Sequence, residues 1–158
     1  MQWMGEGFLE MKELELRPFV ISDALRILVR PEQYNKKQIA VFEKWAKINK
    51  EGGPAYSAFY GDILLACAGV RVMWEGVGEA WAIFSREIVN FKKEAYVYTI
   101  NELQKIIEEN KLHRVQAHAD ENFPLASKFL EGIGFKKECL MEKFQPNGNN
   151  SYLYAKVR

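Results

Sequence analysis

The sequence predicts a single α/β (α+β) domain, with a mixed and mostly antiparallel sheet of about seven strands and about four flanking helices. Its 158 residues are the usual length of one domain. The apolar fraction of 48% and the charged fraction of 27% are typical of a globular protein with its own core. Segments of strand period and of helical period follow one another in mixed order, which is typical of this fold class.

The first half of the chain predicts one strand, two helices and then a pair of strands. Residues 1–12 show no clear period, and we interpret them as a flexible leader before a domain of residues 13–158. Alternating apolar and charged residues indicate the first strand, and apolar stripes indicate the helices. The predicted elements are a strand at 13–17, helices at about 22–30 and 36–49, and strands at 55–60 and 63–72.

The second half predicts a strand, a long helix, a strand, a short helix and a terminal hairpin. The strands on either side of the long helix should run parallel, because one helix carries the chain back across the sheet. Turns rich in glycine and proline separate the other elements. The predicted elements are strands at 79–84, 113–119, 135–144 and 152–157, and helices at about 92–110 and 124–131.

The charge balance and the apolar pattern argue against two kinds of partner. The 22 basic and 21 acidic residues create no field that would favour nucleic acid. The longest apolar run, residues 63–70, is far shorter than the roughly 20 residues that cross a membrane. The N-terminus also lacks the features of a secretory signal. We therefore expect a cytoplasmic protein with neither nucleic acid nor membrane as a partner.

The cysteines and histidines indicate neither a disulfide nor a metal site. Cys67 and Cys139 each lie in an apolar run, so we expect two reduced, buried thiols that fill space in the core. His113 and His118 lie five residues apart on one predicted strand, which directs them to opposite faces. We expect one of them at the surface and one packed. No spacing of these residue types is that of a metal site.

The most specific local pattern covers residues 121–135, where Gly134 permits a left-handed exit from a helix and Phe135 returns the chain to the core. Together with the order of elements, this stretch resembles the fourth-helix motif of the GNAT N-acyltransferase superfamily, and the likeness covers about residues 13–157. The ending, residues 141–148 and 152–155, is similar to acetyltransferase-like proteins of tailed phages, although the same residues simply make a good terminal hairpin.

The resemblance implies an N-acetyltransferase. It would use acetyl-CoA as cosubstrate and transfer the acetyl group by direct attack to an amine of a small-molecule or protein acceptor. The acceptor cannot be read from the sequence, although Trp74, in the loop after a strand, is a candidate for lining its pocket. The oligomeric state stays open, a homodimer included.

The resemblance also implies catalytic roles around the predicted strand 79–84. Glu79 stands where many members hold a carboxylate base, and Trp81 would help to desolvate it. The alternative for Glu79 is a strand-end glutamate that faces solvent. The backbone N–H groups of Ile83 and Phe84 stand where the family stabilises the oxyanion of the thioester. Leu130 occupies the position of the family's general-acid tyrosine, so solvent would protonate the leaving thiolate, or the protein does not turn over.

The implied cofactor site departs from the family pattern. The glycine-rich phosphate loop of the family corresponds here to residues 85–93, which contain no glycine. The start of the next helix still offers free N–H groups, and side-chain cations stand in for the glycines. Asn122 would contact the pantetheine arm or simply cap a helix. The implied cofactor-binding residues are Phe84, Ser85, Arg86, Phe91, Lys92, Lys93, Asn122 and Ser127.

These departures leave a second interpretation open. Without the glycines and without the tyrosine, the chain would be a catalytically inactive GNAT-like structural or interaction protein, derived from a phage. Binding of CoA distinguishes this interpretation from the enzyme.

Overall fold

The computed structural model describes residues 13–28 and 36–158 of the protein. The strands in this part of the chain are β1 (Leu14–Pro18), β2 (Ala55–Tyr60), β3 (Ile63–Trp74), β4 (Val77–Phe84), β5 (Arg114–Asp120), β6 (Lys136–Met141) and β7 (Ser151–Val157). The helices are α1 (Ile21–Leu28), α2 (Lys36–Gly52), α3 (Lys92–Glu109) and α4 (Pro124–Gly132), with a 3-10 helix at Arg86–Asn90. The leader predicted at residues 1–12 lies outside the described residues.

The strands form one sheet in the order β1-β2-β3-β4-β5-β7-β6. All neighbouring strands pair antiparallel except β4 and β5, which are parallel and are connected through α3. The predicted fold class is therefore confirmed, including the single crossover. The largest difference in a strand boundary is at β6, which ends at Met141 because the chain turns at Lys143, whose φ is +53°.

The helices cover both faces of the sheet, because successive side chains of a strand point to opposite faces. The core under α1 and α2 is formed by Phe19, Ala24, Ala46, Phe59, Leu64 and Cys67. The core under α3 and α4 is formed by Val70, Leu103, Ile106, Ile107, Leu112, Val115, Ala117, Ala119, Ile133, Phe135 and Tyr154. Strand β3 lies in the middle of the sheet and contributes to both cores.

Helix α3 packs on the sheet along one stripe. Leu103, Ile106 and Ile107 are buried at the helical spacing that the sequence predicts. Ile100, which belongs to the same predicted stripe, stays 40% exposed. No helix within residues 13–28 and 36–158 is long and apolar enough to cross a membrane.

The motif at the end of α4 has the predicted geometry. Gly134 has a φ of +100°, in the region that side chains other than glycine rarely adopt. The next residue, Phe135, is 3% exposed and its N–H donates to the carbonyl of Leu130 at 2.9 Å. The chain therefore turns directly from the helix into the core.

The prediction of two buried thiols is wrong for one of them. Cys139 is exposed because it lies on β6, the edge strand, where every residue keeps some exposure. Cys67 is buried on central β3, and burial raises the pKa of its thiol to about 11, against a smaller opposite effect of the Ser57 hydroxyl. Only Cys67 is therefore the inert core residue that the sequence predicts.

Candidate functional site

A gap opens in the sheet between β4 and β5. The two strands pair at three positions only, Val77–Arg114, Gly78–Val115 and Glu79–Gln116. Beyond these positions, β4 continues along β3 to Phe84 and β5 continues along β7 to Asp120. The facing edges of the two strands therefore diverge. Beyond the paired positions, the backbone N–H and C=O groups of β4 and β5 form no ladder with each other.

Backbone N–H groups of β4 point into this gap at every second residue. The N–H of Ser85 donates to the carbonyl of Leu65, toward β3, at 2.9 Å. Because N–H groups alternate sides along a strand, the N–H of Ile83 also faces β3, and those of Ala82 and Phe84 face the gap. Of the two backbone donors named from the sequence, Phe84 is the one directed at the gap. Ala82 was missed, because the direction of an N–H depends on the pairing register.

Glu79 lies at the closed end of the gap, at the last paired position of β4. A guanidinium nitrogen of Arg71, across the β3–β4 ladder, donates to its Oε2 at 3.0 Å. The other oxygen, Oε1, lies 3.6 Å from Nε2 of His118 on β5. The Glu79 side chain is 21% exposed, so it is not the fully solvated strand-end group of the alternative interpretation.

The sequence predicted one of the two histidines at the surface and one packed, but His113 and His118 are both exposed. The structure brings His118 to Glu79. Its ring is 36% exposed and meets the edge of the Phe144 ring at a centroid distance of 4.7 Å. Burial lowers the pKa of His118 below its ordinary value, and the Glu79 charge acts in the opposite direction. The imidazole is therefore neutral at neutral pH and able to accept a proton.

An aromatic cluster lies on the same strand face as Glu79. The Trp81 ring meets Phe19 and Trp45 edge to face, each at a centroid distance of 5.2 Å. Its indole Nε1 is buried and has no hydrogen-bond partner among the described residues. Trp74, which the sequence suggested for the acceptor pocket, is 62% exposed at the β3–β4 hairpin. The structure thus brings Trp81 and Trp45, rather than Trp74, to the site.

The segment after β4 replaces the expected phosphate loop with a 3-10 helix. Arg86, Lys92 and Lys93 are all exposed along it. The N-cap of α3 is Phe91, which makes no side-chain hydrogen bond to the helix, so the first-turn N–H groups have no side-chain cap. Free N–H groups, the positive end of the helix dipole and three cations fit an anionic group such as a pyrophosphate.

Two details of this segment differ from a simple phosphate cradle. The Phe91 ring packs against Tyr60 at 4.8 Å, so this side chain helps to anchor the start of α3. The backbone N–H of Glu87 lowers the pKa of its own exposed carboxyl group, which keeps a negative charge beside Arg86. An approaching phosphate would have to share this cation with Glu87.

The two remaining cofactor residues lie at the start of α4. Asn122 is exposed, and its backbone N–H donates to Oδ1 of Asp120 at 2.8 Å. Its side chain makes no hydrogen bond that caps α4, whose N-cap is Phe123. Ser127 is half-buried on the first turns of α4.

A cavity of about 180 Å³ lies between the sheet and helices α3 and α4. It reaches both sides of the gap, since Ala82 and Phe84 of β4 and His118 of β5 belong to its lining. It extends beneath α3 as far as Leu14 and Leu16 on β1, and Leu130 on α4 also lines it. Most of its lining side chains are hydrocarbon.

Comparison with known proteins finds likeness in structure. No protein-family model and no curated protein matches the chain. Its structure is similar to a GNAT-family acetyltransferase from Bacillus anthracis, with a TM-score of 0.67 and 20% identity over 94% of this chain and 96% of that one. It is similar to a GNAT-family acetyltransferase from Streptococcus pneumoniae, with a TM-score of 0.68 and 15% identity over 92% of this chain and 100% of the other.

A third similar structure is a spermidine N-acetyltransferase chimera from Vibrio cholerae and hSSAT, with a TM-score of 0.68 and 17% identity over 91% of this chain and 95% of that one. In all three cases the likeness extends over nearly the whole of both chains, at low sequence identity. The resemblance that the sequence suggested is thus confirmed for the fold, and the chain has the fold of the GNAT acetyltransferases.

Proposed function

We propose that this protein is a CoA-dependent N-acyltransferase, which takes an acyl group from a thioester, in the simplest case acetyl-CoA, and passes it to an amine by direct attack. The observation that carries the proposal is the gap between β4 and β5. It combines backbone donors on one strand with a proton acceptor on the other. The fold shared with acetyltransferases supports the same conclusion.

The N–H groups of Ala82 and Phe84 are the two candidates for the oxyanion donor. A bound thioester supplies an electrophilic carbonyl, and attack by an amine places negative charge on the carbonyl oxygen. Along an extended strand these two N–H groups lie about 6.7 Å apart, so a single oxygen accepts from one of them. That N–H is fixed by the β3–β4 ladder and stabilises the charge without rearranging. Backbone donors make no demand on side chains, which is why two ordinary apolar residues serve.

Glu79 and His118 are the proposed base, acting as a pair. The neutral imidazole accepts the proton that the amine loses as its nitrogen bonds to the acyl carbon. The Glu79 carboxylate then stabilises the imidazolium, and Arg71 holds that carboxylate in place through the 3.0 Å hydrogen bond. A base of this kind contributes roughly 10²–10⁴-fold to the rate.

The leaving group departs without help from a side chain on α4. The carbon–sulfur bond breaks, the thiolate takes the electron pair and solvent water protonates it, while the imidazolium of His118 gives the amine's proton to solvent. Leu130 has no group to donate. A thiol with an ordinary pKa of about 8.5 is a tolerable leaving group without an acid.

Arg86, Lys92, Lys93 and the uncapped start of α3 are the proposed pyrophosphate site, with Phe84 and Ser85 at its entrance and Asn122 and Ser127 on the opposite side of the gap. Ile83 and Phe91 support this arrangement through the β3–β4 ladder and through Tyr60, respectively. The cations replace the close backbone approach that glycines would give.

The proposed acceptor is an amine. A polyamine such as spermidine is the first compound to test, because one of the similar structures is that of a spermidine N-acetyltransferase chimera. The exposed free thiol of Cys139 supports a reducing compartment and hence a cytoplasmic site of action.

A thermal-shift titration with acetyl-CoA and with CoA tests the proposal. A ligand at 100 times its Kd stabilises a protein by about 2.7 kcal/mol, which raises the Tm of a domain of this size by roughly 5–10 °C. We expect such a rise, and we expect it to be largely lost in the triple variant R86A/K92A/K93A.

The matched control is K44A/K105A/K136A, which removes three equally exposed cations from other surfaces. It should retain the full shift. No shift at millimolar CoA would exclude the enzyme and leave the inactive GNAT-like protein as the better interpretation. An equal loss in both triple variants would mean that net charge, and not this segment, governs binding.

A further inference from the structure

The cavity beneath α3 owes its space to small residues that face one another. On the sheet, Ala58 of β2 pairs directly with Ala66 of β3, and Ala68 of β3 pairs with Ala82 of β4. All four line the cavity. Alanine is depleted in strands, where larger side chains pack better. On the face of the sheet beneath α3, these two pairs of facing alanines therefore form a floor of small side chains above which space is left.

The helix above this floor is equally small. Ala95 and Thr99 of α3 lie four residues apart, hence on one side of the helix, and both line the cavity. Protein interiors ordinarily leave few voids larger than a water molecule. This cavity of about 180 Å³ is open on one side, and its small-residue floor and small-residue roof leave the space between the sheet and α3 unfilled.

The cavity communicates with the gap where we propose that the thioester binds. Ala66, at its inner part, is 7% exposed, whereas Ala82, at the gap, is exposed. The backbone N–H of Ala82 is also one of the two candidates for the oxyanion donor. An acyl chain attached to the thioester carbonyl therefore enters the cavity directly from the gap.

The polar side chains of the lining restrict the chemistry of the occupant. The Tyr98 hydroxyl is already used, since it donates to the carbonyl of Leu14 at 3.2 Å. Glu102 on α3 adds a carboxylate, which would repel a second negative charge. Tyr56, Thr99 and His118 are the other polar residues of the lining, and the remaining surface is mainly alanine, leucine, isoleucine and phenylalanine. This surface suits an uncharged hydrocarbon chain.

We infer that the acyl donor carries a medium-length, uncharged acyl chain, of about six carbons, rather than an acetyl group. The size follows from volume, because a dry apolar cavity of about 150 Å³ holds a six-carbon ring. This inference rests on the proposed function, since it assigns the chain of the same thioester. It makes the acetyl group a substrate that leaves most of the cavity empty.

The test compares CoA thioesters of increasing chain length with the wild-type protein, by calorimetry and by thermal shift. Each buried methylene strengthens binding by up to about fourfold. Hexanoyl-CoA has four methylenes more than acetyl-CoA, so we expect at least tenfold tighter binding. Succinyl-CoA, which ends in a carboxylate, should gain nothing over acetyl-CoA.

Ala66→Leu fills the inner part of the cavity, and Ala66→Val is the milder version. Both should bind acetyl-CoA like the wild type and lose the preference for hexanoyl-CoA. Ala40→Leu, at an exposed position of α2, is the matched control and should keep that preference. The Tm without ligand reports whether each variant folds.

The outcomes separate the two hypotheses. Equal binding of acetyl-CoA and hexanoyl-CoA by the wild-type protein would overturn the chain-length inference and leave the proposed function intact. Binding of none of the thioesters would overturn both. A preference for hexanoyl-CoA that survives in both Ala66 variants would show that the chain lies elsewhere, and would also overturn the inference.

Discussion

Replacing Glu79 with Gln should reduce the proton affinity of His118. This change in affinity is easily measured, because the protein has only two histidines. Nε2 of His118 and Oε1 of Glu79 are 3.6 Å apart, with 36% and 21% of the side chains exposed. Pairs with such access to water contribute about 0.2–1 kcal/mol. Since 1.4 kcal/mol corresponds to a factor of ten, the imidazole should bind its proton about 1.4- to fivefold more weakly in E79Q.

The unpaired guanidinium of Arg71 acts in the same direction, because it repels the imidazolium once Glu79 has lost its charge. Burial already lowers the pKa of His118 in the folded protein. The folded state therefore prefers the neutral ring, and the stability that this contributes is lost as pH falls below the ordinary value of about 6.5 and through the folded-state pKa. In E79Q the loss should begin at the same pH, set by the unfolded state, and continue to lower pH, so that its total becomes larger.

The assay is a pH titration of the ring resonances by NMR. The chain has two histidines, so each signal is easily assigned by one substitution. His113 lies outside the Glu79 pair and serves as the internal reference, and E43Q, at an exposed site on α2, is the control variant. An unchanged or higher proton affinity of His118 in E79Q would refute the electrostatic pairing on which the proposed base depends.

Two further predictions concern the fold. Cys139 should react with a thiol reagent within minutes in the folded protein. Cys67 should react only on unfolding, because it is buried and its pKa is raised to about 11. Two rapidly reacting thiols, or one that persists in C139S, would contradict the burial of Cys67. Gly134→Ala should cost about 1–2 kcal/mol in chemical denaturation, because its φ of +100° strains any side chain while the nearest atom, of Lys156, is 3.4 Å from the added carbon. Gly134→Asn should lose less, and equal losses would point to a steric cause.

The order and type of the elements could be predicted because they depend on local signals. Strand and helix periods need only a few neighbouring residues, and the crossover follows from one helix between two strands. The turn at Gly134 likewise depends on a single backbone conformation. The 3-10 helix at Arg86–Asn90 was not predicted, since a short polar segment has no period to read.

The pairing of Glu79 with His118 could not be read from the sequence, because 39 positions separate the two residues and only the β4–β5 register joins them. The error at Cys139 has a different origin. An apolar run indicates burial only where another layer covers it. The charged residues Lys136, Lys137 and Glu138 that precede Cys139 are typical of an edge strand and were the available signal. The alanines at 58, 66, 68 and 82 were a visible signal, but their facing pairs required the register.

In the proposed function, one strand contributes both to the chemistry and to the choice of acyl-chain length, but through different groups. Strand β4 contributes its backbone to three surfaces, namely the ladder with β3, the gap toward β5 and the floor of the cavity. At Ala82 the N–H faces the gap while the methyl group faces the cavity, since side chain and N–H directions both alternate along a strand. A larger side chain at this position would leave the oxyanion donor in place and shorten the space for the acyl chain. Under the two proposals above, reactivity depends on the backbone of β4 and chain-length selectivity depends on the side chains that line the cavity, so that either property can change without the other.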